Sequence, residues 1–157
     1  MAGEQDAKPL RVWVLSDGQP GHYNLSRGVL DALRRLRPVQ EFRVNTRLRI
    51  GLGRNILRLI LNRVRAPLSY NLLKLFYAID ELPEQDCDLI VSAGGKTSFA
   101  NAWLARLKQV PNVFTGSLRR LSPGHFSAVL TLESPDDSPV YLSLELPPSA
   151  LDAGRLE

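Results

Sequence analysis

Cysteine, histidine and, over one long stretch, acidic side chains are what this sequence has little of. A single cysteine, Cys87, excludes an internal disulfide, and two scattered histidines do not make a zinc site. No metal centre is therefore expected, and a reducing cytoplasm is the expected compartment. No stretch reaches the ~18 uncharged apolar residues that a membrane helix needs. The polar residues 1–8, with Glu4 and Asp6, do not read as a secretory signal. The expectation is a soluble protein, at most peripheral on the inner face of a membrane. There is no internal repeat at a fixed period and no low-complexity tract.

The missing acidic residues are informative about where charge sits. Between Phe42 and Ile79 there is no Asp or Glu, whereas Arg43, Arg47, Arg49, Arg54, Arg58, Arg63, Arg65 and Lys74 supply eight positive charges. The rest of the chain holds twelve basic against sixteen acidic residues, so one segment makes the protein basic. On a helical wheel for Arg54 to Arg65, Ile56, Leu57, Leu59, Ile60, Leu61 and Val64 gather on one arc. Arg54, Asn55, Arg58, Asn62 and Arg65 occupy the other, with Arg63 at the edge. That is an amphipathic cationic helix. Arg54, Arg58, Arg63 and Arg65 then become candidates for contact with an anionic membrane or a partner, unless the apolar arc packs inward instead. Pro67 breaks the helix, and Leu68 to Ile79 reads as a second, largely apolar helix. Tyr70, Phe76 and Tyr77 sit within that apolar run and are not spaced for base stacking, which argues against nucleic acid as a partner.

What is present on either side is a repeated alternation. Arg11 to Leu15 is a β-rich run, followed by SDGQPGHYN and an apolar stripe at Leu25, Val29, Leu30, Leu33 and Leu36. Pro38 ends that helix and Val39 to Val44 is the next strand. Asp88 to Ser92 is a short buried strand, Ala93 to Thr97 a glycine turn, and Ser98 to Leu107 a helix. Asn112 to Thr115, Phe126 to Leu132 and Val140 to Leu146 supply further strands. Strands alternating with helices predict an α/β, Rossmann-like three-layer domain with a mainly parallel sheet. At 157 residues one core is expected. The expected boundaries are a flexible amino terminus over 1–9, the domain over 10–146 with a basic helical insertion at 47–79, and a linker or truncated end over 147–157.

Ligands of open parallel sheets bind beyond the carboxyl ends of the strands, where both glycine turns belong. In the first turn Asp17 can accept a proton from a ligand hydroxyl and His22 can act as acid or base, with Gly18 and Gly21 allowing close approach. Asp17 alternatively caps the turn, leaving His22 a loop residue, while Asn24 or Ser26 caps the helix. The turn AGGKTS is no P-loop, because the glycine required five residues before Gly95 is Ile90. It reads as an anion- or hydroxyl-binding turn: Gly94 and Gly95 for approach, Lys96 for charge, Thr97 or Ser98 as cap. The bland alternative is a capping Ser98 beside a solvated Lys96. A third candidate, GSLRR, offers Ser117, Arg119 and Arg120 to phosphate or carboxylate.

Taken in order, VWVLSDGQPGHYN, DLIVSAGGKTSFANAWLARL and PNVFTGSLRRL resemble the mitochondrial-fission family named for elongated mitochondria, with its bacterial relatives. That family is similar to GT-B glycosyltransferases, in which two Rossmann-like domains face each other across a cleft. The GQPGH turn also resembles the glycine-rich turn with histidine in the lipid-linked N-acetylglucosaminyltransferase of peptidoglycan synthesis. The resemblance implies a cleft lined by Asp17, Gly18, Gly21, His22 and Asn24 with Gly94, Gly95, Lys96, Thr97, Ser98 and Asn101. It implies a nucleoside-diphosphate sugar as substrate, with no covalently bound cofactor, and a lipid-linked or small-molecule acceptor. Pro147 and Pro148 would lead to a carboxyl-terminal domain carrying most nucleotide contacts, without which this half is expected to be inactive. The alternative is a non-catalytic GT-B-like scaffold that recruits a partner to a membrane.

Overall fold

The computed structural model describes residues 8–145. Apart from Lys8 and Pro9, the expected tail 1–9 lies outside that range, as do Leu146 and the 147–157 segment. Strand β1 (Leu10–Ser16) leads through α1 (Pro20–Arg34) to β2 (Val39–Leu48). Helices α2 (Gly53–Arg63) and α3 (Tyr70–Phe76) then precede β3 (Tyr77–Ile79) and β4 (Leu89–Ala93). Helix α4 (Ser98–Lys108), β5 (Asn112–Thr115), a 3-10 turn at Pro123–His125, β6 (Ala128–Thr131) and β7 (Tyr141–Ser143) complete the described chain.

The strands form one seven-stranded sheet in the order β3-β2-β1-β4-β5-β6-β7, parallel except where β3 pairs antiparallel with β2. The chain is thus an α/β protein of Rossmann-like type, as the alternation predicts. From β1 the chain moves one way to β2 and later returns to the other side of β1 with β4. The β1–β4 boundary is therefore the topological switch point.

Alternation along β1 distributes its side chains between two cores. Val12 and Val14 pack with Val29 and Leu30 of α1, while Trp13 and Leu15 join the larger cluster with α2, α3 and α4. Helix α4 is buried along Ser98 to Ala105, having the sheet on one side and the α2–α3 segment beside it. Its buried amide is satisfied. Asn101 Nδ2 donates to Ser92 Oγ at 2.8 Å and to the Val113 carbonyl at 3.0 Å. Its Oδ1 accepts from Asn112 Nδ2 at 2.9 Å. At the amino ends of β1 and β4 Arg11 grips Asp88 through its backbone N–H, Nε and Nη2, which holds the Asp88 carboxyl below its usual range.

Several expected boundaries differ, three of them for a tertiary reason. Strand β2 runs to Leu48 rather than Val44 because Thr46, Arg47 and Leu48 pair with Ile79, Ala78 and Tyr77. The expected helix from Leu68 to Ile79 is helical only over Tyr70–Phe76; Tyr77 turns extended to cover the open edge of β2. The cationic helix stops at Arg63 because Val64 is extended, with Arg106 donating to the carbonyls of Val64 and Leu61. Leu36, expected on the apolar stripe, lies past the end of α1 and is 83% exposed. Phe126 is buried but precedes β6, and β7 spans only three residues.

The Asn101 network joins β4, α4 and β5 inside the core. N101A is expected to lose roughly 2–4 kcal/mol of stability, because truncation strands buried polar groups. The measurement is the midpoint of chemical denaturation; an unchanged midpoint would show that the network carries no stability.

Candidate functional site

The site begins where β1 and β4 end side by side. Ser16 Oγ accepts the Gly18 N–H and a guanidinium hydrogen of Arg43, each at 3.2 Å. This steadies a turn in which Gly18 takes φ +84°. Asp17 Oδ1 accepts the Gln19 N–H at 3.1 Å, so Asp17 does brace its own turn. Its other oxygen, Oδ2, lies 2.8 Å from His22 Nδ1. The Asp17 side chain is only 5% exposed, against 40% for His22. An ionised carboxylate only accepts, so the bond places the hydrogen on Nδ1 and leaves Nε2 as the basic nitrogen.

Helix α1 starts at Pro20, which puts Gly21, His22 and Asn24 inside its first turns. Asn24 and Ser26 therefore do not cap it; Asn24 is exposed on the helix and Ser26 is buried within it. The ring of Tyr23 lies under Arg43, 4.3 Å from its centroid, and its hydroxyl bonds Glu41. That pair fixes the helix start on β2.

The second glycine turn meets the first at His22. Gly94 takes φ +88°, and a Cβ there would fall 2.3 Å from His22 Nδ1. The imidazole thus rests on bare backbone, which demands glycine twice over, by conformation and by space. Thr97 Oγ1 donates to the carbonyls of Ala93 and Gly94, and Ser98 Oγ to that of Gly95. These hydroxyls brace the turn from below, and neither caps the amino end of α4. From the far side the Tyr77 hydroxyl donates to the Lys96 carbonyl at 2.5 Å, and burial pushes the Tyr77 phenol up.

Between these turns lies a cleft of about 270 Å³. Asp17, Gln19 and His22 line one wall, and Gly95, Lys96, Ser98 and Phe99 line a second. Ser117, Leu118 and Arg119 come from the loop after β5. Arg119 holds a left-handed φ of 55°, uncommon for a residue with a side chain. The remaining lining residues are Arg54 and Arg58 of α2, whose i, i+4 spacing puts both on one face. The sequence pattern shows that shared face and makes both arginines candidates for a membrane or partner surface; the structure sets both among the residues that line the cleft. Helix α2 also pins the third loop: Asn62 Nδ2 donates to the Arg120 carbonyl and Asn62 Oδ1 accepts the Ser122 N–H.

Other candidate residues sit elsewhere. Thr97 and Asn101 are buried with their polar groups engaged in the fold. Gly21, Asn24, Arg63 and Arg120 are exposed and not among the lining residues. Arg65 borders a separate cavity of about 480 Å³ with Arg106 and His125. Two further cavities adjoin the cleft along the carboxyl edge. One of about 490 Å³ shares Asp17 and reaches Arg47 and Arg49; one of about 300 Å³ shares Ser117 and is walled by Leu25, Leu130, Leu132 and Leu144.

Chemically, the cleft presents one acid–base pair, Asp17–His22, and four side-chain cations, Arg54, Arg58, Lys96 and Arg119. Among the described residues no group of three or more His, Cys, Asp or Glu is placed to hold a metal ion. No helix among them is long and apolar enough to cross a membrane. No protein-family model, curated protein or solved structure matches the chain.

Substituting Gly94 by Ala is expected to push the imidazole off the turn and break its bond to Asp17, at a stability cost of about 1–3 kcal/mol. Imidazole nitrogen shifts in the NMR spectrum report the Nδ1–H to carboxylate bond; an unaltered His22 signature in G94A would refute the contact.

Proposed function

We propose that this domain is the acceptor-side half of a nucleotide-sugar-dependent, GT-B-like glycosyltransferase. The observation that carries the reading is the Asp17–His22 pair at the switch point, seated in a cleft whose other charged groups are cationic. The three quoted motifs, which resemble the mitochondrial-fission family and through it the GT-B enzymes, contribute three of the four segments that line that cleft, α2 being the fourth.

In this mechanism the acceptor hydroxyl donates to His22 Nε2. As its oxygen bonds to the anomeric carbon of the donor sugar, the proton passes to the imidazole and the bond from that carbon to the diphosphate breaks. Asp17 holds the reactive tautomer and stabilises the imidazolium that forms. The nucleoside diphosphate leaves, its base and ribose held by a second domain facing this one.

Isothermal titration of the full-length gene product with uridine and guanosine sugar nucleotides tests the reading, followed by turnover with the donor that binds. H22A is expected to lower turnover by roughly 10²–10⁴-fold while donor affinity holds. Silence across the panel would remove the transferase.

A second reading, a scaffold that brings a partner to a membrane, is favoured by one surface feature. Ile50, Leu52, Ile56, Leu59 and Leu75 are each at least half exposed, and Arg49, Arg63 and Lys74 of the same segment are exposed with them. An apolar surface within a cationic segment is the chemistry of an anionic bilayer contact. Flotation with vesicles is expected to show binding that needs anionic lipid and weakens with salt. Absence of lipid-dependent binding at low salt would dispose of this surface as a membrane contact.

A further inference from the structure

Helix α2 has three kinds of face. Leu57 and Leu61 are buried, Ile56 and Leu59 face solvent, and Arg54 and Arg58 are half-buried on the cleft. Arg54, Leu57, Arg58 and Leu61 follow the i, i+3, i+4, i+7 spacing, so the apolar seam that docks α2 also sets the two arginines. The Nε atoms of both are buried, and neither has a hydrogen-bond partner among the described residues. Buried guanidinium hydrogens without an acceptor are costly, and a phosphate offers two oxygens that the planar guanidinium fork can bond at once.

The charge balance points the same way. Four side-chain cations from three segments surround the cleft, and its single carboxylate, Asp17, is already bonded to His22. No side chain caps α4 at the cleft, because Thr97 and Ser98 turn their hydroxyls to carbonyls. A ligand carrying two or more negative charges matches this set better than a monoanion does.

We infer that the cleft is a diphosphate site in which Arg54 and Arg58 of α2 are the principal ligands, assisted by Lys96 and Arg119. This rests on the reading of the same cleft as a transferase substrate site. It assigns the cleft's ligand as a diphosphate ester, borne either by the sugar nucleotide or by a lipid-linked acceptor.

The probe is inorganic pyrophosphate, titrated calorimetrically into the protein at fixed salt. Wild type is expected to bind it, and R54Q/R58Q to weaken binding by roughly tenfold or more. R63Q/R65Q removes the same charge away from the cleft and is expected to leave binding near wild type. Circular dichroism and thermal melting confirm that each variant is folded; if the double variant unfolds, R58Q alone is measured in its place. Equal losses in the two double variants, or wild-type affinity in R54Q/R58Q, would overturn the site. Competition by uridine diphosphate identifies a nucleotide source, and competition by vesicles carrying a polyprenyl diphosphate a lipid one; competition by neither also overturns it. Arginine-dependent pyrophosphate binding with a silent sugar-nucleotide panel would keep the anion site and remove the transferase. Turnover that survives R54Q/R58Q would do the reverse.

Discussion

The contact between the His22 ring and the bare backbone of Gly94 is the constraint around which the site is organised. It seats the turns after β1 and β4 against each other at the place in the sheet where the strand order reverses. Each partner is prepared separately. Asp17 aims the imidazole, while Thr97 and Tyr77 brace the Gly94–Lys96 turn from its buried side. A side chain at position 94 would occupy the space the ring fills, so both turns depend on one missing methyl group.

Helix α2 brings the second constraint. Its Leu57 and Leu61 are needed by the core, and burying them leaves little freedom in where Arg54 and Arg58 point. The same helix holds the loop after β5 through Asn62, so one element sets two walls of the cleft. Two buried guanidinium nitrogens without partners are a poor arrangement for stability alone and a useful one for gripping an anion. Packing and binding are thus drawn from adjacent residues of a single helix.

Much of the fold was legible because its signals are local. The RVWVL run, Pro38 and the DLIVS strand followed by a glycine turn each announce their element with apolar periodicity or a breaker. Asn112–Thr115 was readable to the residue for the same reason. The failures were where a distant partner overrode local preference. Tyr77 to Ile79 look helical until the open edge of β2 recruits them, and Val64 leaves the helix where Arg106 takes its carbonyl. In the site, Asp17, His22, Gly94 and Lys96 were readable as candidates from turn chemistry. Asn101, implied for the cleft by the resemblance alone, spends its amide on β4 and β5 inside the core.

Alone, then, the sequence determined the alternation of strands and helices, the two glycine turns and the concentration of positive charge between Phe42 and Ile79. Those properties follow from residue type and short-range spacing, which the chain carries wherever it is folded. Only the tertiary structure decided that His22 lies on Gly94, that Tyr77 reaches Lys96, and that Arg54 and Arg58 turn into the cleft. Each of those depends on which face of an element is buried against which neighbour, and periodicity defines a face without naming what it meets.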